Sequence, residues 1–600
     1  MSGTFVNEKL TVLYGSQTGN AQDLAERIWR ESKRFHFAGT VCSMDDYDVL
    51  ELINERCVIF VCSTTGQGEE PDNMKQFWKF LLRRSLPADS LKKLNFAVLG
   101  LGDSSYVKYN FVAKRLNKRL GQLGAHQLIP IGLGDDQHDL GYDGASDPWI
   151  EALWINALNA FPLPQGVSPL DRNQPVVPRW NVTSKLCLEP KSVNKQQSLY
   201  YSTRTSKEFF VTIIDNVRVT TDDHFQDVRL IKLKTNGQEY NSGDVVVLRP
   251  RNLPSQVAEF QRILLENDVD IPPETIFNLS ERSSDFPVPP HLQGPISFQQ
   301  LCEEYFDLTS IPRRHTFSIL AQLTDSEIEK EKCLEFTTAE GQDDLYNYCN
   351  RPRRNITEVL EDFRHATKNI TKDILFELLQ PIKPRDFSIA SSCRYHRDEI
   401  HILVAVVKYK TKLTKERLGL CSNYLADLKS GDEVSVWLKK GSFKFPLNPE
   451  DPAIMVGPGT GVAPFRNFIF QRVNEGVASA DNLILFFGCR SRCKDFYCKD
   501  EYESLQDEGM LHLICAFSRD QDDKIYVQHK IAENAKEVWR ALATRRAHIF
   551  VAGNSKNMPQ EVRSAFARVC VEEGGLDEEK AEAFLAQMEK TNQYQTETWS

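Results

Sequence analysis

The chain has 600 residues, of which 41% are hydrophobic and 26% charged, and its net charge is -10 at pH 7. That composition excludes a mainly disordered, collagenous or fibrous protein, and at roughly 150 residues per domain it predicts about four domains. A mildly acidic balance argues against general nucleic-acid binding, which needs a basic surface.

The 14 cysteines are too sparse for a disulfide scaffold. Cys489, Cys493 and Cys498 lack zinc-finger or ferredoxin spacing, so the expectation is reduced thiols and no metal site. No apolar run reaches the roughly 18 residues of a membrane span. Met1–Lys9 has no apolar signal core.

In chain order, Leu10–Tyr14, Cys57–Cys62, Phe96–Leu101 and Leu128–Ile131 read as buried strands, with helix-like segments such as Ala21–Phe35 and Phe77–Arg84 between them. Buried strands alternating with helices predict one doubly wound parallel domain over 1–161. From Phe161 to about 205, Pro162, Pro164, Pro169, Pro175, Pro178 and Pro190 predict an extended tether. Over 206–447, Phe209–Val219, Val228–Lys234, Val245–Arg249, Asp386–Ala390 and Glu399–Tyr409 read as strands of a β domain. A mostly helical insertion interrupts it over about 255–380, including Asn355–Ala366 and Thr371–Leu379. The block 448–600 alternates again, with strands at Ala453–Val456, Leu483–Phe487, Leu511–Phe517 and His548–Ala552.

Chemistry concentrates where strands end. Ser16-Gln17-Thr18-Gly19-Asn20-Ala21 joins a strand to a helix, where hydroxyls and free N–H groups suit one phosphate. Without a Gly-Lys-Ser/Thr ending it is not a triphosphate loop. Ser63-Thr64-Thr65-Gly66 and the run Leu101-Gly102-Asp103-Ser104-Ser105-Tyr106-Val107-Lys108-Tyr109-Asn110 follow later strands, and Asp136 ends a fourth loop. Open α/β sheets bind ligands at such strand ends. Glycines let the backbone approach a flat ring, and Tyr106 can stack on it.

This ordered set resembles the flavodoxin-like FMN domain of the diflavin reductase family. The resemblance implies that the first loop holds the FMN phosphate and the next two flank the ring. A microsomal member carries tyrosine where this chain has Thr65, which leaves one ring face without that aromatic cover.

Arg385-Asp386-Phe387-Ser388 on a strand puts a pyrophosphate-neutralising guanidinium and a stacking ring on one face, with Ser388 opposite. Gly419-Leu420-Cys421-Ser422 starts a helix that can aim N–H groups at the same pyrophosphate. Together they resemble the FAD site of the ferredoxin-reductase superfamily. Arg351-Pro352-Arg353-Arg354 resembles a diflavin-reductase segment, with Arg353 as its FAD contact.

Val456–Phe465 lacks dehydrogenase glycine spacing and resembles the NADP-domain opening of ferredoxin reductases, with Thr460 at the pyrophosphate. Ser518, Arg519, Lys524 and Tyr526 suit a 2′-phosphate, whereas NAD would call for an acidic residue, so NADPH is expected. Lys524-Ile525-Tyr526-Val527-Gln528 matches the family there, and the resemblance adds Glu561.

The tail Gln595-Thr596-Glu597-Thr598-Trp599 completes the resemblance. It implies that Trp599 covers the FAD ring and moves for nicotinamide, and that Ser388 and Glu597 serve hydride transfer. Ala552 stands where the microsomal member has cysteine.

The fold implied is α/β and multidomain: a flavodoxin-like FMN domain, a ferredoxin-reductase-like β-barrel FAD domain with helical insertion, and a parallel α/β NADP-binding domain. The activity implied runs from NADPH to FAD to FMN to a redox protein. Ser63-Thr-Thr-Gly-Gln-Gly68, Gly134-Asp-Asp-Gln-His138 and the tail resemble the family's soluble branch in cytosolic iron–sulfur protein assembly. That branch implies the iron–sulfur protein anamorsin as acceptor, a cytoplasmic location, and no nucleic-acid or membrane partner. A reductase for a heme monooxygenase or cobalamin enzyme, and a flavin-binding scaffold, are the alternatives.

Overall fold

The structure, a computed structural model, describes residues 8–65, 68–106, 108–171, 176–186, 208–283, 286–338 and 340–599. The chain divides into two compact units, Met1–Leu199 with Pro254–Lys383 and Tyr200–Leu253 with Pro384–Ser600.

In the first unit, a parallel sheet runs in the order Val41–Ser43, Thr11–Gly15, Cys57–Ser63, Asn95–Gly102, His126–Gln127, with Gly132–Asp135 also on Asn95–Gly102. Its central strands are buried along all but their end residues because helices cover both faces. Asn20–Arg34, Phe111–Gln122 and Asp143–Ala160 are the long covering helices. The strand expected at Leu128–Ile131 is displaced, and the ladder resumes at Gly132. Pro130 lacks the N–H that a ladder position must donate. The helix expected at Phe77–Arg84 occupies Lys75–Leu81.

The same unit contains the insertion. Its helices surround a core that includes Phe260, Phe298, Phe317, Phe336 and Phe376. It is less purely helical than expected, because Thr275–Glu281 pairs antiparallel with Ile296–Ser297 and with Trp180–Leu186. The last of these lies in the stretch expected to be a tether. Trp180, buried, packs edge-on against Phe286 and Phe376, so an apolar anchor overrides the surrounding prolines. Residues 172–175 and 187–205 of that stretch lie outside the described residues.

In the second unit, six antiparallel strands run in the order Arg385–Ser388, Val245–Leu248, Glu433–Lys439, Phe209–Arg218, Val228–Lys234, Glu399–Ala405. An Ile389–Ile402 bridge joins the first strand to the last and closes a barrel. The strand expected to reach Tyr409 ends at Ala405, and Lys408–Tyr409 pairs instead with Arg417–Leu418. A five-stranded sheet of the same unit is wholly parallel, ordered His512–Phe517, Leu483–Cys489, Ala453–Pro458, His548–Asn554, Tyr594–Trp599. Its last strand is the chain's tail. No helix among the described residues is long and apolar enough to cross a membrane.

Candidate functional site

The first loop leaves the strand Thr11–Gly15 and enters the helix Asn20–Arg34 through Gly19, whose φ of 88° favours glycine. Ser16 N–H donates to Asn73 Oδ1 at 2.8 Å, and Gln17 exchanges hydrogen bonds with Asp72. The Ser16 hydroxyl is buried without a protein partner, as a hydroxyl reserved for a ligand phosphate would be. The loop sequence supplies no lysine, yet the side chain of Lys383 ends beside Gly19.

Two more loops face this edge. Thr64 N–H donates to Leu101 O at 3.0 Å, and Thr65 pairs with Glu69. Asn110, fully buried with φ of 52°, donates to Gly134 O at 2.9 Å. A Cβ on Gly100 or Gly102 would strike Asn110, so glycine alone fits there. Asp103 accepts from Ser105, and Asp135 from Ser104 N–H. Burial and then Asp103 push the Asp136 carboxyl up, against the charges of Arg313 and Arg353. Tyr106 is half-buried and Lys108 exposed. Tyr109 OH donates to Leu133 O at 2.9 Å. Gly66 and Val107 lie outside the described residues. Ala21 and Leu101 are buried and offer a ligand only backbone.

In the second unit Arg385 and Asp386 are exposed, and Lys439 holds Asp386 at 2.8 Å. Phe387 leans on the barrel core while keeping an exposed part. Gly419 caps the helix Leu420–Asp427, where Ser422 Oγ accepts from Val407 N–H at 3.0 Å. Leu420 and Cys421 are buried, and burial, offset in part by the Arg385 charge, pushes the Cys421 thiol up to about 12. Arg353, in the other unit, takes a φ of 55°.

Gly459–Val462 turns from the strand Ala453–Pro458 into the helix Ala463–Glu475. A Cβ on Gly461 would lie 2.1 Å from Ala552 O, so this loop closes on the neighbouring strand only with glycine. Arg466, just past the loop, is buried, donates to Ala390 O at 2.7 Å and forms a bidentate pair with Glu501. At the next strand ends, Ser518 is buried, whereas Arg519, Lys524 and Tyr526 are exposed. Gln528 donates to Glu561 at 2.6 Å. Val527 is buried in the core and Ile525 packs against it.

The tail brings two of these sites together. Glu597 stands in register with Ala552, and Ser388 Oγ donates to Glu597 Oε1 at 2.9 Å. Ser442, not expected from sequence, donates to Glu597 Oε2 at 2.6 Å. Trp599 ends the strand partly exposed, with its carbonyl accepting from Ser555 N–H.

Family models match in the same order: Flavodoxin over 12–149, FAD binding domain over 202–424 and Oxidoreductase NAD-binding domain over 455–564. NADPH-dependent diflavin oxidoreductase 1 of Danio rerio is 48% identical over 98% of this chain and 99% of its own length. The chain belongs to the NADPH-dependent diflavin oxidoreductase family. The relative from Xenopus laevis is also 48% identical, covering 99% of this chain and all of its own length. The one from Arabidopsis thaliana is 41% identical, covering 99% of each.

Membership makes this chain an oxidoreductase with FMN, FAD and NADPH as its cofactors. The residues fit them. The unpartnered Ser16 hydroxyl and the glycine entry at Gly19 suit a phosphate. Gly419 packs tightly on Val407, where a Cβ would lie 2.7 Å away, and begins the helix Leu420–Asp427, whose first N–H groups suit a pyrophosphate. Arg519 and Lys524 offer exposed cationic donors near the Ser518 strand end.

Proposed function

We propose that the chain carries electrons from NADPH through FAD and FMN to a protein acceptor in the cytoplasm, and that the acceptor is the iron–sulfur protein anamorsin. When bound, NADPH supplies a hydride and the two flavins turn its electron pair into single electrons, the form an iron–sulfur centre accepts.

The observation that carries the reading is the Ser388–Glu597 hydrogen bond, which joins the strand of the FAD motif to the tail strand beside Ala552. There Ser388 and Glu597 orient the nicotinamide end, with Trp599 as the group that yields to it. Ser16, Gln17, Thr18 and the following N–H groups hold the FMN phosphate. Thr64, Thr65, Tyr106 and Tyr109 flank the FMN ring. Arg385 and the helix start at Gly419 hold the FAD pyrophosphate, and Ser518, Arg519, Lys524 and Tyr526 read the 2′-phosphate.

The acceptor assignment draws on the segments Gly134–His138 and Gln595–Trp599, which resemble the iron–sulfur assembly branch. Thirteen described cysteines are free thiols, in keeping with a reducing compartment.

The test is NADPH oxidation by the purified two-flavin protein with ferricyanide as acceptor. Turnover is expected, and Glu597→Ala should slow flavin reduction about tenfold or more. Protein that binds both flavins yet leaves NADPH unoxidised would be a scaffold.

A further inference from the structure

The carboxylate of Glu597 has two serine partners on different segments. Ser388 holds one oxygen and Ser442 holds the other at 2.6 Å. Two residues back in the tail, Gln595 repeats the pattern with backbone groups. Its Oε1 accepts from Lys444 N–H at 2.8 Å, and its Nε2 donates to Lys444 O at 3.0 Å. Residues 595, 597 and 599 share one strand face, since side chains alternate. The face that meets the 442–444 segment is therefore the face that ends in Trp599.

That segment is well anchored. Phe443 is buried and packs on Phe465 and Phe550, with ring centroids 5.7 and 5.5 Å away. Phe445 stacks on Phe468 at 4.3 Å. Ser442 and Lys444 alternate with these rings and are exposed. Alternation thus sends the phenylalanines into the core and leaves Ser442 and the Lys444 backbone to receive the tail.

We propose that Ser442 is a positioning residue for hydride transfer: with the Gln595–Lys444 clamp, it docks the tail strand and fixes the Glu597 carboxylate against Ser388. This rests on the reading that Ser388 and Glu597 flank the hydride-transfer site. Neighbouring Ala552 offers no polar atom on its side chain, so orientation of Glu597 falls to the two serines.

Hydrogen–deuterium exchange of the full two-flavin protein without nucleotide tests the dock. Loss of a hydrogen bond to a charged group predicts about tenfold faster exchange over 594–599 in Ser442→Ala. Strand 453–458 should keep its exchange rate. Gln595→Ala should loosen the same segment. Stopped-flow flavin reduction by NADPH should slow about five- to tenfold in Ser442→Ala at unchanged KM. Ser442→Thr should restore both readouts, and Ser442→Ala should add nothing to Glu597→Ala. Wild-type exchange over 594–599 in Ser442→Ala, or an equal kinetic loss with and without Glu597, would overturn the proposal. A Glu597→Ala protein with the wild-type rate would instead sink the hydride-site reading, while the exchange result would still report on the dock.

Discussion

Arg179 grips Glu377 with two hydrogen bonds, Nε to Oε1 at 3.0 Å and Nη2 to Oε2 at 3.1 Å. Its remaining Nη1 donates to Glu26 at 2.9 Å, on the first helix of the flavodoxin-like fold. One guanidinium thus ties that helix to the helical insertion within the first unit. The side chain of Glu377 is 1% exposed, so removing Arg179 leaves a buried carboxylate with only the longer 3.7 Å pairing to Arg30.

Arg179→Ala should therefore cost about 3–5 kcal/mol, the range for breaking a buried pair. Burial raises the Glu377 pKa, but Arg179 and then Arg30 outweigh it and hold the carboxyl below its ordinary 4.5. A carboxylate depressed in the folded state stabilises above that pH and loses its contribution as pH falls. Thermal unfolding should show the first unit losing stability below about pH 4.5, less steeply in Glu377→Gln.

A second pH response belongs to the other unit. Burial and then Arg466 bring both His396 and His401 down to about 3. Arg466 can only donate, so His401 Nδ1 accepts from it at 3.2 Å and Nε2–H donates to Glu399. That fixes a neutral tautomer. The unfolded chain binds protons near pH 6.5 that the folded chain refuses until about pH 3. Stability should fall as pH drops through that window, with a slope of up to about two protons. His396→Gln with His401→Gln should flatten it. An unchanged slope in calorimetry would contradict the assignment.

Arg519 and Lys524 are exposed, so replacing them should leave folding intact. Changing both to Ala should raise the KM for NADPH on the order of ten- to a hundredfold and barely alter that for NADH. Equal losses in steady-state assays would place the 2′-phosphate elsewhere.

Two glycines predict different severities. Gly19→Ala takes on the left-handed φ, about 1–2 kcal/mol, and must also displace the end of Lys383, with weaker FMN retention. Gly461→Ala meets backbone, the Ala552 carbonyl, which cannot swing aside. It should abolish NADPH binding while both flavins stay bound, as calorimetric titration and flavin absorbance would report.

Much of this was legible in the chain. The parallel strands, the glycine-bearing loops at their ends and the Gly419 helix start follow from local pattern, because buried strands and glycine turns declare themselves in sequence. What escaped depends on distant partners. Pro130 shifts one strand by four residues, Trp180 recruits a strand into a proline-rich stretch, and the tail becomes ordered by pairing with His548–Asn554. Ser442 and Lys383 reach their sites from segments without a motif of their own. Val527 shows the converse, since it lies inside a family motif yet packs in the core.

The acceptor is tested most directly by anaerobic stopped flow, mixing the NADPH-reduced protein with oxidised anamorsin and, separately, with a heme protein. Rapid reduction of the anamorsin clusters is expected, lost when FMN is removed. Anamorsin that stays oxidised while the heme protein is reduced would contradict it.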